Sequence, residues 1–450
     1  MLHALITICA FILTILILVG VHELGHYSAA RLCGVKVLKF SIGFGKKLFS
    51  FTDKKGTDYV FAAIPLGGYV QMLDENETVV EADQRHRAFN HKPIWQRSLI
   101  ILAGPLFNFI FAIFALMGMY LIGIQTIKPV LGDIVPFSIA DQAGLRTHHT
   151  IIAIDNKPVV SWQDILMNSF KRIGDDQELL IKTKKDYVQY QYHLDIKNWR
   201  LNKLNPDPLE SLGIKPYHPT GTIIIKSVQK GSNAETAGLK AQDQIIALNH
   251  QPAIDLKNFY SITQNHINQP LLLTIKRGSD IKEIAVKVAE NKHLFSKATG
   301  AIGVFLEPIP WPKDMVQKIQ LSPFAAWQAA WKQAWNYTQF NVILIGKLLT
   351  GKLSFQSMGG PLSIMKGSGI AVIQGLAIFL NFLAFISITL GLINLLPIPG
   401  LDGSHLVYYL FEKVRGQPLA KAKQALLIKF GMIILFLIMV HAFVNDLARL

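Results

Sequence analysis

Four long stretches with almost no charge limit how this 450-residue chain can fold more than any other feature. They cover residues 4–21, 98–127, 367–401 and 425–440, and Lys429 is the single charged residue inside them. A helix of about 20 apolar residues crosses the hydrocarbon core of a bilayer. The sequence therefore predicts a polytopic α-helical membrane protein with about four transmembrane helices, at residues 1–26, 98–124, 367–411 and 425–446.

The first and third stretches differ from a simple transmembrane span. The first stretch lacks the positively charged start and small-residue cleavage site of a secretory signal peptide, so we expect it to be retained as a helix. The third stretch is longer than one crossing requires, so part of it must be a turn, a re-entrant segment or an interfacial segment. Only 17% of the residues are charged, which excludes an ordinary soluble enzyme.

Basic residues predict the orientation of the spans, because cytoplasmic loops retain Lys and Arg. Three groups of basic residues flank the spans. They lie after the first span (Arg31, Lys36, Lys39, Lys46 and Lys47), before the second span (Arg85, Arg87, Lys92 and Arg97) and between the third and fourth spans (Lys413, Arg415, Lys421 and Lys423). Four alternating spans place all three groups on one side. This predicts a multi-pass protein of a bacterial inner membrane, with the N-terminus and residues 128–366 outside. Much of the net charge of +15 is then topological, and no nucleic-acid partner is expected.

An internal repeat lies in the large outer region. Residues 143–158 match residues 237–252 at a constant offset of 94, with an Ala-Gly-Leu sequence followed by an Ile-Ile strand and a proline. Two copies of a small β-rich module are expected. The pattern resembles the PDZ domain, which binds extended peptides at a sheet edge, over residues 127–197 and 213–292. The alternative is a pair of rigid spacers without peptide ligands.

A tryptophan-rich helix is predicted after the repeats, inside a periplasmic linker at residues 293–366. Trp327, Trp331 and Trp335 are four residues apart and share one helical face. Indole rings favour the membrane interface, so we expect an amphipathic helix lying on the outer leaflet. A buried core helix is the alternative.

The chemistry is expected at the end of the first span, where His22, Glu23 and His26 form an H-E-x-x-H sequence. On a helix, residues four apart share a face, so both imidazoles can bind one zinc ion while Glu23 lies beside it. The alternative is a polar cap that ends an apolar helix. With only two cysteines in the chain, a metal site must use histidine and carboxylate ligands.

A catalytic zinc needs a third protein ligand, and Asp402 is the best candidate. It follows a segment with two prolines and a glycine, which interrupts the helix and lets a carboxylate project. The first and third spans run in the same direction, so Asp402 and the histidines lie at the same depth. His405 is a competing ligand, although a loop or supporting role is favoured. His441 lies at the opposite end of the fourth span and is excluded.

Two other segments are candidates for substrate binding. Asn108, inside the second span after a Gly-Pro sequence, is either a packing residue, which is the default, or a site residue. Residues 39–70 alternate β-prone runs with glycine turns, including Gly43 and Gly45. A sheet beside the active site could hold a substrate as an extended strand, because a protease must unwind a helix before it reaches the carbonyls.

Taken together, these segments resemble the site-2 protease family of intramembrane zinc metalloproteases over essentially the whole chain. The resemblance implies that His22, His26 and Asp402 bind Zn²⁺, that Glu23 is the general base and that Asn394 binds the substrate backbone. It implies a membrane-associated β-region within residues 27–97. It also implies cleavage of a single-span anti-sigma factor after a prior periplasmic cut, in envelope stress signalling, with PDZ modules that exclude uncut substrates.

Two rivals stay open from the sequence. One is a membrane-anchored tandem PDZ scaffold whose metal site is non-catalytic. The other is a soluble-type zinc protease that is merely tethered to the membrane. The second is disfavoured because the H-E-x-x-H sequence directly continues an apolar run and its partner carboxylate ends another.

Overall fold

The computed structural model describes residues 2–76, 79–175, 177–197, 199–201, 207–253, 255–291 and 299–448. The chain divides into two compact units. The first contains residues 1–125 and 318–446, and the second contains residues 126–317 with the last four residues of the chain.

The helices account for most of the first unit and for the short connections of the second. In chain order, the α-helices of the described residues are α1 (Leu2–Leu32), α2 (Ile94–Ile122), α3 (Ile139–Gln142), α4 (Trp162–Phe170), α5 (Pro208–Leu212), α6 (Asn233–Thr236), α7 (Leu256–Asn265), α8 (Pro323–Leu349), α9 (Pro361–Gln374), α10 (Leu376–Asn394), α11 (Asp402–Arg415) and α12 (Lys421–Ala448).

The strands fall into a region directly after α1 and into the second unit. In chain order, they are β1 (Val37–Thr52), β2 (Asp58–Met72), β3 (Ile124–Ile127), β4 (Leu131–Ile134), β5 (Thr150–Ile154), β6 (Lys157–Pro158), β7 (Leu179–Lys185), β8 (Val188–Leu194), β9 (Ile214–Pro216), β10 (Ile223–Val228), β11 (Gln244–Leu248), β12 (Gln251–Pro252), β13 (Pro270–Arg277), β14 (Asp280–Lys287), β15 (Ala289–Asn291), β16 (Thr299–Ala301), β17 (Val304–Leu306) and β18 (Val316–Ile319).

Four helices of the described chain, α1, α2, α10 and α12, are long and apolar enough to cross a membrane. Together with the sheet-rich regions, they fit the polytopic membrane protein predicted from the sequence. The third uncharged stretch is divided between α9 and α10, and α11 begins directly after it at Asp402. Gly375 separates the first two with a φ of 113°, a backbone conformation that glycine adopts without strain.

Helix α2 is the centre of the first unit, since α1, α8, α10 and α11 all pack against it. Its contact with α1 is unusually close. A Cβ atom on Gly25 of α1 would lie 2.3 Å from the Ala103 carbonyl oxygen of α2. Small residues at such crossings let two helix backbones approach in the absence of a hydrophobic driving force between them. This close contact fixes the part of α1 that carries the polar residues.

The sheet after α1 consists of two long antiparallel strands, β1 and β2, and each strand bends so that its two halves pair with different parts of the other strand. Phe40 of β1 pairs with both Val70 and Tyr59 of β2, and the bends fall at glycines such as Gly43, with a φ of 94°. In the described sheet, residues 68–72 pair with residues 37–42 on one side and with no strand on the other. Residues 68–72 are called the edge segment below.

Helix α8 extends beyond the segment predicted from the tryptophans. Its three indoles form the exposed face, whereas Ala326, Ala330, Ala334 and Tyr337 form the buried one. The small alanines let α8 pack closely against α2 and α10. The Tyr337 hydroxyl donates a 2.6 Å hydrogen bond to Asn381 of α10.

The second unit contains two similar β-rich cores. The first contains the sheet β6-β5-β7-β8 and the separate pair β4-β9, and the second contains the sheet β14-β13-β11-β10-β17, with β12 paired to β11. In each core, a serine packs closely against a glycine. A Cβ atom on Gly213 would lie 2.1 Å from Ser138, and one on Gly303 would lie 2.2 Å from Ser232.

These contacts show that the repeat extends beyond the predicted ranges. Strand β9 pairs with β4, and Ile214 lies in the first hydrophobic core. Strand β17 pairs with β10, and Ile302 lies in the second core. The ranges 127–197 and 213–292 place β9 in the second repeat and leave β17 outside both. Short strands that return to a sheet after a long connection carry little periodic signal in the sequence.

Candidate active site

His22 and His26 of α1 lie on the side that faces α2. His22, Glu23 and His26 are buried, with 7–9% of each residue exposed. The two imidazole rings are one helical turn apart, and their centroids are 4.8 Å apart in an edge-on arrangement. Burial of three ionisable side chains in a helix of membrane-spanning length is costly, and it needs a compensating interaction.

Asp402 reaches the same place from the other end of the chain. It is the first residue of α11 and follows the Pro397–Gly400 break after α10. Gly403 permits this tight turn, because a Cβ atom there would lie 2.4 Å from the carbonyl oxygens of Leu395 and Leu396. The carboxylate can therefore leave the helix axis and point towards α1.

Three side-chain atoms converge at this point. His22 Nε2 lies 3.2 Å from His26 Nε2 and 3.2 Å from Asp402 Oδ2, and His26 Nε2 lies 3.4 Å from that oxygen. Ligands about 2.0–2.1 Å from a tetrahedral zinc ion are separated by about 3.3–3.4 Å. The triangle thus has the size of one face of a zinc coordination tetrahedron. It is the one such His/Cys/Asp/Glu group found among the described residues.

Hydrogen bonding also fits a metal ion. Asp402 Oδ2 is fully buried and has no hydrogen-bond partner among the described residues, although it lies beside two imidazole nitrogens. His26 Nδ1 lies 2.9 Å from the Ile100 carbonyl oxygen. That carbonyl can only accept, so Nδ1 carries the proton and Nε2 presents its lone pair to the centre of the triangle. A cation at that centre would satisfy the oxygen and both imidazoles.

His22 and His26 pack against helix α2. A Cβ atom on Gly104 would lie 2.2 Å from His26 Nε2, so the imidazole occupies the space that any other residue would fill. Asn108 is fully buried, and its Nδ2 lies 3.2 Å from His22 Nδ1. Of the two roles that the sequence left open for Asn108, the structure places it in contact with a candidate ligand.

The sheet lies directly against Glu23. A Cβ atom on Gly68, at the start of the edge segment, would lie 2.9 Å from Glu23 Cγ. A side chain at that position would displace the carboxylate. The absence of one therefore lets the edge segment run beside the candidate general base.

A cavity of about 900 Å³ lies between the edge segment, α2 and α11. Its lining includes Tyr69 to Met72, together with Arg97, His405 and Tyr408. The Tyr408 hydroxyl is buried and has no hydrogen-bond partner in the described structure. The edge segment and Tyr408 thus line the same cavity.

Other predicted site residues lie outside the triangle. Gly43 lies at a bend of β1, where a Cβ atom would meet the Ile64 carbonyl at 2.9 Å, and Gly45 lies two residues further. Asn394 is the last residue of α10. His405 lines the cavity with its ring against Tyr408 and is not one of the three converging residues. His441 is exposed on α12.

Several contributors to the site could not be found from the sequence alone. The Ile100 carbonyl is a backbone group and has no signature, and the unpaired Tyr408 hydroxyl looks like any other tyrosine. Gly104 precedes a proline, which suggests a kink rather than contact with an imidazole. Gly25, within the H-E-x-x-H sequence, and Gly104 offered the one usable signal, a small residue on each of two apolar helices.

Helices of membrane-spanning length and an H-E-x-x-H sequence facing a carboxylate define the class of membrane-embedded metallopeptidases. The sequence model of peptidase family M50 matches residues 10–438. The chain therefore belongs to peptidase family M50, and the type of enzyme predicted from the sequence is confirmed. The four apolar helices and the family indicate an integral membrane protein.

Named relatives cover the whole chain. The regulator of sigma-E protease RseP of Salmonella typhimurium strain 14028s is 39% identical over 451 residues and covers 100% of both chains. RseP of Escherichia coli K12 is 38% identical over 451 residues with the same coverage. A Pasteurella multocida protein named as a zinc metalloprotease is 38% identical over 442 residues, or 98% of each chain.

Proposed function

We propose that this protein is a zinc-dependent intramembrane endopeptidase in which His22, His26 and Asp402 bind the metal and Glu23 is the general base. One observation carries this proposal. Two nitrogens and one oxygen from distant segments converge at 3.2–3.4 Å beside a buried glutamate. The names of the relatives, which include a zinc metalloprotease, support the choice of zinc.

The chemistry divides between the metal and the chain. When bound, zinc acts as a Lewis acid that polarises a carbonyl and lowers the pKa of water. Glu23 then takes a proton from the attacking water and passes it to the departing amine. Gly68 leaves room for the Glu23 carboxylate, and the Ile100 carbonyl holds His26 in the tautomer that can bind a metal.

The proposed substrate is the transmembrane segment of a single-span protein of the anti-sigma factor type, cut after a prior periplasmic cleavage. Relatives named as regulators of sigma-E protease support this assignment and a role in envelope stress signalling. An extended substrate would pair with the edge segment inside the cavity, with backbone contacts from Asn394. Gly43 and Gly45, at the far bend of the sheet, would act through the shape of the sheet.

The proposed arrangement in the cell follows the basic loops. The protein would lie in a bacterial inner membrane with its N-terminus and residues 128–366 in the periplasm and its active site near the cytoplasmic side. We propose that the two repeats are PDZ-like modules that bind peptides or exclude uncut substrates. Their matching serine–glycine contacts support a duplicated module.

The test uses the full-length protein in proteoliposomes with a single-span reporter. Glu23→Gln should retain zinc and the folded state, while cleavage falls by at least about a hundredfold, because a general base contributes that much or more. Glu81→Gln, at an exposed position without a side-chain capping bond, should cleave as the wild type does. Cleavage by the Glu23→Gln protein would remove Glu23 from the mechanism.

The scaffold alternative predicts a different pattern from the same samples. A tandem PDZ scaffold with a non-catalytic metal site would bind the reporter and zinc without ever cutting it. A wild-type protein that is zinc-loaded and binds the reporter but leaves it intact would therefore favour the scaffold.

A further inference from the structure

Helix α2 contacts both candidate zinc-binding histidines through groups that lie on one of its faces. The Ile100 carbonyl meets His26 Nδ1 at 2.9 Å, and the Asn108 amide meets His22 Nδ1 at 3.2 Å. Gly104, between them in the sequence, leaves the space for the His26 ring. The three residues are spaced by four, so they form a stripe along the helix.

The spacing of these contacts matches the spacing of the histidines. A helical carbonyl points towards the C-terminus, so the Ile100 oxygen is displaced from its own Cα atom towards Gly104. A helical side chain leans towards the N-terminus, so the Asn108 amide is displaced towards Gly104 from the other side. The two partners are then about one turn apart, as are His22 and His26 on the facing helix.

The tautomer of His22 decides which amide atom it needs. To bind a metal through Nε2, a neutral His22 must carry its proton on Nδ1, and that N–H needs an acceptor. Asn108 places Nδ2 towards His22, and its Oδ1 is buried without a partner in the described part of the chain. A half-turn of the amide exchanges the two atoms and presents Oδ1 to the His22 N–H.

The rest of Asn108 is held firmly, so the amide is the part that adapts. The Ser387 hydroxyl of α10 donates a 2.9 Å hydrogen bond to the Asn108 backbone carbonyl. Gly391 of the same helix packs close by, because a Cβ atom there would lie 3.4 Å from Asn108 Cβ. These contacts fix the Cα and Cβ atoms and leave rotation of the terminal amide as the remaining freedom.

We propose that Asn108 is a positioning residue whose side-chain oxygen accepts the His22 Nδ1–H and holds Nε2 towards the metal, as the Ile100 carbonyl does for His26. This assignment rests on the proposed zinc site. It gives Asn108 a role in metal binding rather than the substrate contact expected from the sequence. Hydrogen-bonded partners of this kind strengthen metal binding by about 10- to 100-fold.

The test measures zinc affinity of the full-length protein in detergent by competition with a chromogenic chelator. Asn108→Leu keeps the branched shape, in a somewhat larger side chain, and removes the acceptor, so its affinity should fall by about 10- to 100-fold. Asn108→Asp keeps an acceptor and should bind zinc within a few-fold of the wild type. Rescue by aspartate separates positioning from packing, since packing alone would favour the apolar residue.

Asn341→Leu is the matched control. Asn341 is also a buried asparagine of the first unit, and its amide bonds to Tyr337 and Thr389 on α8 and α10. Its substitution should leave zinc affinity unchanged. Equal affinity in the wild-type, Asn108→Leu and Asn341→Leu proteins would overturn the role of Asn108 while leaving the zinc site intact. A wild-type protein that binds no zinc, or a His22→Ala protein that binds it equally, would overturn the proposed function instead.

Discussion

The position of His26, a proposed zinc ligand, depends on the lack of a side chain at Gly104. Because a Cβ atom on Gly104 would lie 2.2 Å from His26 Nε2, Gly104→Ala must displace the imidazole or push α2 away from α1. We expect zinc affinity to fall at least tenfold and peptidase activity to fall with it. Chelator competition and reporter cleavage measure the two effects.

Gly118→Ala provides the control for that substitution on the same helix. Its added Cβ atom would lie 3.3 Å from Leu380 Cδ1, the end of a flexible side chain that can move. Zinc affinity and cleavage should stay at the wild-type level. If both alanine variants bound zinc equally well, contact between Gly104 and His26 would not determine the position of the ligand.

Residues that carry their own chemistry could be predicted from the sequence, and residues that act by shape could not. The spacing of His22, Glu23 and His26 predicts a shared helical face, and the helix break before Asp402 predicts a projecting carboxylate. The contacts of Asn108 depend instead on the relative shift of two helices along each other. Apolar helices carry no periodic signal for that shift, so the sequence made packing the default for Asn108 and left a site role as the alternative.

The same limit applies to whole elements. The stretch 367–411 has the composition of one long span, and only the glycine at 375 and the prolines after 394 indicate that α9, α10 and α11 are separate. The strands β9 and β17 each contain three residues and join their sheets across long connections. Their pairing is decided by burial of Ile214 and Ile302 in the two cores, which local patterns do not encode.

An ion pair holds α11, and with it Asp402, against α2. Arg97 donates to both carboxylate oxygens of Glu412, at 2.6 and 3.1 Å, and its guanidinium lies 4.9 Å from the Tyr409 ring centroid. Both side chains are less than one-fifth exposed. Arg97→Leu leaves the Glu412 carboxylate unpaired and should destabilise the folded protein by about 3 kcal/mol.

The double variant Arg97→Leu/Glu412→Leu tests that reason. Removing both charges abolishes the unpaired carboxylate, so much of the lost stability should return. Thermal unfolding in detergent, compared among wild type, Arg97→Leu and the double variant, measures this. A double variant as unstable as the single one would show that packing of the arginine stem, rather than charge pairing, determines the stability.

The two repeats of the second unit should respond differently to acid. Asp243 lies next to β11 and pairs with Arg277, and His149 lies at the equivalent place next to β5, near Lys185. Burial alone would raise the pKa of Asp243, but hydrogen bonds from Arg277 and the Lys240 amide lower it below its usual value. Burial, with the charges of Lys185 and Arg146, lowers the pKa of His149.

Because the pKa shifts of His149 and Asp243 concern groups of different type, the two repeats should lose stability in different pH ranges. An unfolded histidine takes up a proton below about pH 6.5, while folded His149 resists it, so the first repeat loses stability as the pH falls through that value. Folded Asp243 stays ionised below the unfolded pKa of about 3.9, so its contribution is lost only below that pH. Hydrogen exchange of the full-length protein at pH 7 and 5, corrected for intrinsic rates, should show weaker protection in residues 150–194 and unchanged protection in residues 223–288. Equal loss in both would contradict this.

At the scale of the whole molecule, the proposed zinc site joins two segments that are far apart in the sequence, at His22 and at Asp402. A ligand that binds only the folded state stabilises it by about 4 kcal/mol when its free concentration is a thousand times its dissociation constant. That stabilisation belongs to the first unit, which contains all three ligands. We therefore expect chelation to weaken the packing of α11, while the cores of the second unit stay folded.

Region-resolved hydrogen exchange before and after treatment with a chelator measures this difference. Residues 402–415 should lose protection on chelation, because the carboxylate at the start of α11 then lacks its cation and lies buried without a partner. Residues 223–288 should not change. A protein with both His22→Ala and Asp402→Ala should show weak protection in residues 402–415 with or without chelator. This variant controls for effects of the chelator itself. Unchanged protection in residues 402–415 would mean that α11 is held by its packing and by the Arg97–Glu412 pair alone, so that metal binding adds chemistry to a site that the fold has already closed.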